Sequence, residues 1–215
     1  MRHRFLSKRY WIDSSTPMGE SNGFLYKYVD IIDFSLGDPD LTTDSRIINA
    51  AFEDALNGHT HYTDFLGDLE LRKEICSYYK LEYDFDVSTE ECMITTSGCH
   101  AMWLALEAIL DDGDEVIIHA PYFTPYPQQI KLTRGIPVVL ETCEEEEFQV
   151  SAERLESLIT NRTKAIIVNT PNNPTGTCFS MKTLAAIAEI AVRHDLIVIS
   201  DDIYTEYSYS EPFIP

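Results

Sequence analysis

Four short stretches bring together side chains that could share a chemistry, and each follows an apolar run. Asn169-Thr170-Pro171-Asn172-Asn173-Pro174-Thr175-Gly176 follows Ala165-Ile166-Ile167-Val168 and is a stiff turn rich in donors and acceptors. Thr96-Ser97-Gly98-Cys99-His100-Ala101 follows Cys92-Met93-Ile94-Thr95 and opens a helical pattern. The free N–H groups of a first helical turn attract an anion such as a phosphate, and an ordinary N-cap looks the same in sequence. Ala120-Pro121-Tyr122-Phe123-Thr124-Pro125-Tyr126 follows Glu115–His119 and offers aromatic rings as core, lid or ring platform. Ser200-Asp201-Asp202-Ile203-Tyr204 follows Leu196-Ile197-Val198-Ile199, where a carboxylate is costly unless it is paired or caps a helix. Read from the residues alone, the four stretches could supply an anion site, aromatic surface and a carboxylate, and each also has an ordinary structural reading as turn, cap or core.

The elements that must position them are readable. Apolar runs of four or five residues predict buried strands at 92–95, 115–119, 137–140, 165–168 and 196–199, with a short extended run at 29–34. Helical spacing of Ile47, Ile48, Ala51, Phe52 and Leu56, with Asp44 before and Gly58 after, predicts a capped helix. Met102, Leu106 and Ile109 mark a second helix, stopped by Asp111-Asp112-Gly113. Ser151 and Ser180 cap two more, the last closing on Arg193-His194. Strands alternating with helices predict α/β architecture with a mostly parallel sheet, and in open α/β sheets ligands sit at the carboxyl ends of the strands. Residues 1–30, broken by Pro17, Gly19 and Gly23, read as an irregular arm.

Composition narrows the partners. A net charge of -20 argues against nucleic acid and anionic membrane surfaces. No apolar run reaches the roughly 18–20 residues of a membrane span, and the basic start lacks an apolar core of secretory length. Five cysteines without a Cys-x-x-Cys pair fit free thiols in a reducing cytoplasm. Six histidines show no ligand spacing, so no metal is expected. Glu144–Glu147 reads as a solvated loop.

Asn173-Pro174-Thr175-Gly176 resembles the signature of the class I/II aminotransferases, fold-type I enzymes that use pyridoxal 5'-phosphate. Four further segments resemble that family in the same order, from about Phe34 onward. The resemblance implies a three-layer large domain and a role for each motif. Ser97, Gly98 and Cys99 would hold the cofactor phosphate. Tyr62, in a Tyr-x(4)-Gly-x(3)-Leu-Arg-like segment, would reach the phosphate of a neighbouring subunit in a homodimer. Phe123, with Tyr122 as the alternative one residue away, would stack on the ring. Asp201 would pair with the ring nitrogen, and Asn173 and Tyr204 would bond its oxygen. Gly37, in Gly37-Asp38-Pro39-Asp40, would pass over the substrate carboxylate, with Asn173 also at the substrate. The implied activity moves an amino group between an amino acid and a 2-oxo acid.

The family's Schiff-base lysine lies well beyond the Asp-x-x-Tyr aspartate, and the last lysine in this sequence is Lys182. The reading is therefore a cofactor-binding part lacking its nucleophile: an arm and small-domain segment over 1–45 and a large domain over 46–215, truncated before the lysine. In the family's sheet the strand at 92–95 lies beside strands that follow the lysine, so here it should lack a neighbour. The same motifs serve lyases, decarboxylases and aminocyclopropane-carboxylate synthases, and they would suit an inactive binding or regulatory derivative.

Overall fold

The computed structural model describes residues 4, 5, 7, 8, 27, 30, 32, 37–209, 212 and 213. The arm expected over 1–30 and the extended run at 29–34 lie almost wholly outside them. The chain forms two compact units, one of residues 17–95 and one of 96–215 together with 1–16.

In the first unit, helix α1 (Ser45–Leu56) starts where the Asp44 carboxylate accepts the Arg46 N–H at 2.7 Å, and the chain turns away at Gly58 with φ +92°. Its spacing is helical as expected, but none of its residues is buried. Helix α2 (Leu69–Tyr83) is capped by Asp68 and closes on Asp84 in the left-handed region. Its Arg72 is buried and donates to the Thr89 carbonyl at 2.9 Å. Gly67 has φ +98°, and a Cβ there would lie 2.5 Å from the Ile94 Cβ, so only glycine fits.

Cys92–Thr95 is not a sheet strand. Cys92 is extended (φ -110°, ψ 124°), but the segment pairs with no described strand. The Ile94 N–H instead donates to the Leu66 carbonyl at 2.8 Å. A strand is a pairing as much as a local conformation, and the apolar run supplied only the second.

The second unit runs α3 (Gly98–Ile109), β1 (Glu115–Ala120), α4 (Tyr126–Leu132), β2 (Ile136–Glu141), α5 (Ala152–Leu158), β3 (Thr163–Asn169), α6 (Met181–His194) and β4 (Ile197–Asp201). Its four strands are all parallel, in the order β2-β1-β3-β4. Alternate residues of the inner strands point to opposite faces. Val116, Ile118, Ala165 and Ile167 pack with Met102 and Leu106 of α3 and Ile130 of α4. Ile117, Ile166 and Val168 pack with Leu155 of α5 and Ile187 and Ile190 of α6. Three layers result, which is why β1 and β3 read as unbroken apolar runs. At the amino end of β1 the buried Glu115 carboxylate takes donors from Thr160 and Arg162, tying β1 to the connection before β3.

The connection from β1 leads to β2 on one side, and the chain then returns past β1 to β3 on the other. That reversal opens a crevice at the carboxyl ends of β1 and β3, the place where sheets of this kind take ligands.

Candidate active site

An open pocket of about 190 Å³ lies at those strand ends, lined wholly by residues of the second unit. It gathers Ser97, Gly98, Cys99, Phe123, Asn173, Asp201 and Tyr204. These seven expected residues come from four separate segments. Tyr122 packs against the core and does not line the pocket. Gly37 and Tyr62 belong to the first unit, and both are exposed.

Each wall has a local cause. Ser97 ends its segment extended, and its Oγ accepts the His100 N–H at 3.2 Å, starting α3. The N–H groups of Gly98 and Cys99 find no acceptor among the described residues. A Cβ at Gly98 would meet nothing within 4 Å, so packing does not require a glycine there. Free first-turn amides and bare backbone suit an anion brought close. Phe123 follows β1 and meets Tyr126 edge-on, with ring centres 5.6 Å apart and planes at 79°. Asp201 ends β4; its Oδ2 accepts the Tyr126 hydroxyl proton at 2.5 Å and its Oδ1 the Ile203 N–H at 3.4 Å. Burial first, and Asp201 next, push the Tyr126 pKa well above the usual phenol range, so Tyr126 remains a donor. Asn173 Nδ2 donates to the Tyr204 hydroxyl at 3.0 Å, leaving the Tyr204 proton free for another acceptor.

Several residues in or behind this site were not assigned from sequence. Tyr126 supports Asp201 across 75 positions. Gln129 donates to the Cys99 carbonyl at 2.9 Å, and its buried Oε1 has no partner among the described residues. His119, last but one in β1, is buried and accepts the Asn169 N–H at 3.3 Å. A histidine closing an apolar strand run was the available signal for the last of these. No lysine lines the pocket, and Lys182 stands exposed on α6. Among the described residues no group of three or more His, Cys, Asp or Glu could hold a metal ion, and no helix is long and apolar enough to cross a membrane.

With this geometry in place, comparison with known proteins decides the family. The family model "Aminotransferase class I and II" matches residues 29–215. The chain belongs to the class I and II aminotransferases. It is 39% identical to the aspartate aminotransferase of Bacillus subtilis over 180 residues, which is 84% of this chain and 46% of that protein. It is 39% identical to the aspartate/prephenate aminotransferase of Thermus thermophilus over 188 residues, 87% of this chain and 49% of that one. Among solved structures, a double mutant of Thermus thermophilus aspartate aminotransferase superposes with a TM-score of 0.94 at 35% identity, covering all of this chain and 57% of its own. Alanine aminotransferase from Pyrococcus furiosus gives 0.91 at 33% identity, covering 98% and 55%. The chain thus spans about half the length of the aminotransferases it matches.

Proposed function

We propose that this chain is the cofactor-binding part of an aminotransferase that uses pyridoxal 5'-phosphate to move an amino group between an amino acid and a 2-oxo acid. The observation that carries the reading is the meeting, in one pocket, of a helix start whose Gly98 and Cys99 amides find no acceptor among the described residues, an aromatic ring, an amide–phenol pair and a held carboxylate. The donor set fits the group. The amides of Gly98 and Cys99, with Ser97, would bind its phosphate, and Phe123 would cover a face of its ring. Asp201, oriented by Tyr126 and the Ile203 amide, would hold a proton on the ring nitrogen. Tyr204 would donate to the ring oxygen, oriented by Asn173. When bound, the cofactor supplies an electron sink for charge released at the substrate α-carbon. Holding a proton at the ring nitrogen is the part of that chemistry this chain performs. The whole protein would add the lysine nucleophile and act as a homodimer in which Tyr62 serves the neighbouring subunit. Gly37 and Asn173 would face the substrate, and the relatives' names make aspartate the amino donor to test first.

The test uses 4'-deoxypyridoxine 5'-phosphate, a cofactor mimic without the aldehyde, so that binding owes nothing to a lysine. Titration calorimetry on the chain should give saturable binding. Asp201→Ala should weaken it by roughly ten- to hundredfold, the worth of a hydrogen bond to a charged group. Gly98→Ala should weaken it too, without loss of thermal stability, because alanine favours the helix and its Cβ meets no protein atom. Unaltered affinity in both variants would exclude this pocket.

A further inference from the structure

Asn169 ends β3 with no solvent exposure, and each of its hydrogen-bonding side-chain groups is spent on a neighbour that faces the pocket. Its Oδ1 accepts the Asn173 N–H at 2.9 Å. Its Nδ2 donates to the Asp201 carbonyl at 2.9 Å. Its own N–H donates to His119 Nε2 on β1. One side chain therefore joins the Asn-Pro-Thr-Gly loop to the end of β4, while the same residue's backbone is tied to β1. A buried amide whose oxygen and nitrogen each hold a partner is a rigid spacer, because a flip would set its oxygen against the Asp201 carbonyl and its NH2 against the Asn173 N–H.

We propose that Asn169 is a positioning residue that sets Asn173 and Asp201 at the separation a ring-shaped ligand needs between its oxygen and its nitrogen. The inference rests on the reading of the pocket as the cofactor site. Neither of the two residues it positions can fix that separation alone. Asn173 sits on a loop and Asp201 on an edge strand, and Asn169 is the side chain bonded to both. Removing it would free the Asn173 loop from that strand end, while Asp201 keeps the β3–β4 ladder and its Tyr126 and Ile203 partners, so the separation between the two is lost.

The experiment is a double-mutant cycle on the 215-residue chain, with 4'-deoxypyridoxine 5'-phosphate as the ligand. Asn169→Ala and Asn173→Ala should each weaken binding by roughly tenfold, and the double variant by clearly less than the roughly hundredfold product, because Asn169 acts through Asn173. The near-ultraviolet band of the bound mimic, which reports ionisation of its ring hydroxyl, should shift in Asn169→Ala. A structural residue would lower the melting temperature and leave both affinity and band alone. Asn169→Asp serves where the alanine variant is too unstable: it keeps an acceptor for the Asn173 amide and loses the donor to Asp201, so amide exchange at Asn173 should stay slow while affinity falls. Additive losses, or variants that bind like the parent, overturn the role of Asn169. Failure of the unaltered chain to bind the mimic overturns the pocket reading and this inference with it.

Discussion

His119 carries a pH dependence that can be signed from its surroundings. Its ring lies edge-on to Phe179 at 4.9 Å and accepts the Asn169 N–H, and burial pushes its pKa down from 6.5 to about 4. The unfolded chain takes up a proton below 6.5 that the folded ring refuses until about 4. Stability from this group is therefore complete above 6.5 and falls as pH drops through that window, by about 3 kcal/mol in all. His119→Gln keeps an acceptor and removes the titration. Urea midpoints followed across the window should fall more steeply for the parent than for the variant; parallel curves would contradict the assignment. At this scale the pocket residues of the motifs were legible because each stands in a short local pattern, at or after a strand's end for Phe123, Asn173, Asp201 and Tyr204 and at a helix start for Ser97, Gly98 and Cys99. Tyr126, Gln129 and His119 were not, because their partners lie 75, 30 and 50 positions away and only the folded sheet brings them together.

Elements with a cap, a period and a stop were readable, and α6 had all three: Ser180, the apolar face of Ile187 and Ala191, and Arg193-His194 at its end. Helix α4 went unread. Seven residues are too few to establish a period, and its prolines look like breakers although proline is well suited to a first turn. The segment 92–95 has strand-like residues and no described strand to pair with, as expected for a strand whose neighbours in the family's sheet follow the lysine. What anchors that segment is the turn at Gly67, where the carbonyl of the preceding residue, Leu66, receives the Ile94 N–H. Gly67→Ala would meet both the left-handed backbone cost, about 1–2 kcal/mol, and a clash with Ile94 costing about 1–3 kcal/mol more. Denaturant unfolding should place the variant about 2–5 kcal/mol below the parent, and a matching midpoint would mean that the 66–67 turn yields freely.

The molecule as a whole sets apolar surface against charge. On α1, Ile47, Phe52 and Leu56 are 63%, 65% and 72% exposed, and no side chain of that helix is buried. In the other unit β4 is an edge strand, with Ile197 and Val198 exposed at 45% and 43%. An amphipathic helix without a covered face and a strand edge that pairs with no described strand both favour association. A net charge of -20 on every copy opposes it. The balance depends on salt, because screening shortens the reach of that repulsion to about 8 Å at physiological ionic strength and leaves the apolar gain in place. Sedimentation velocity should therefore find the chain most dispersed at low salt and increasingly self-associated as salt rises. Val198→Lys, which blunts the β4 edge, and Phe52→Glu, which charges the α1 face, should each delay that change, and the one that delays it more identifies the surface that dominates. A monomer at every ionic strength would mean that neither surface is adhesive, and the proposed homodimer would then have to rest on other residues.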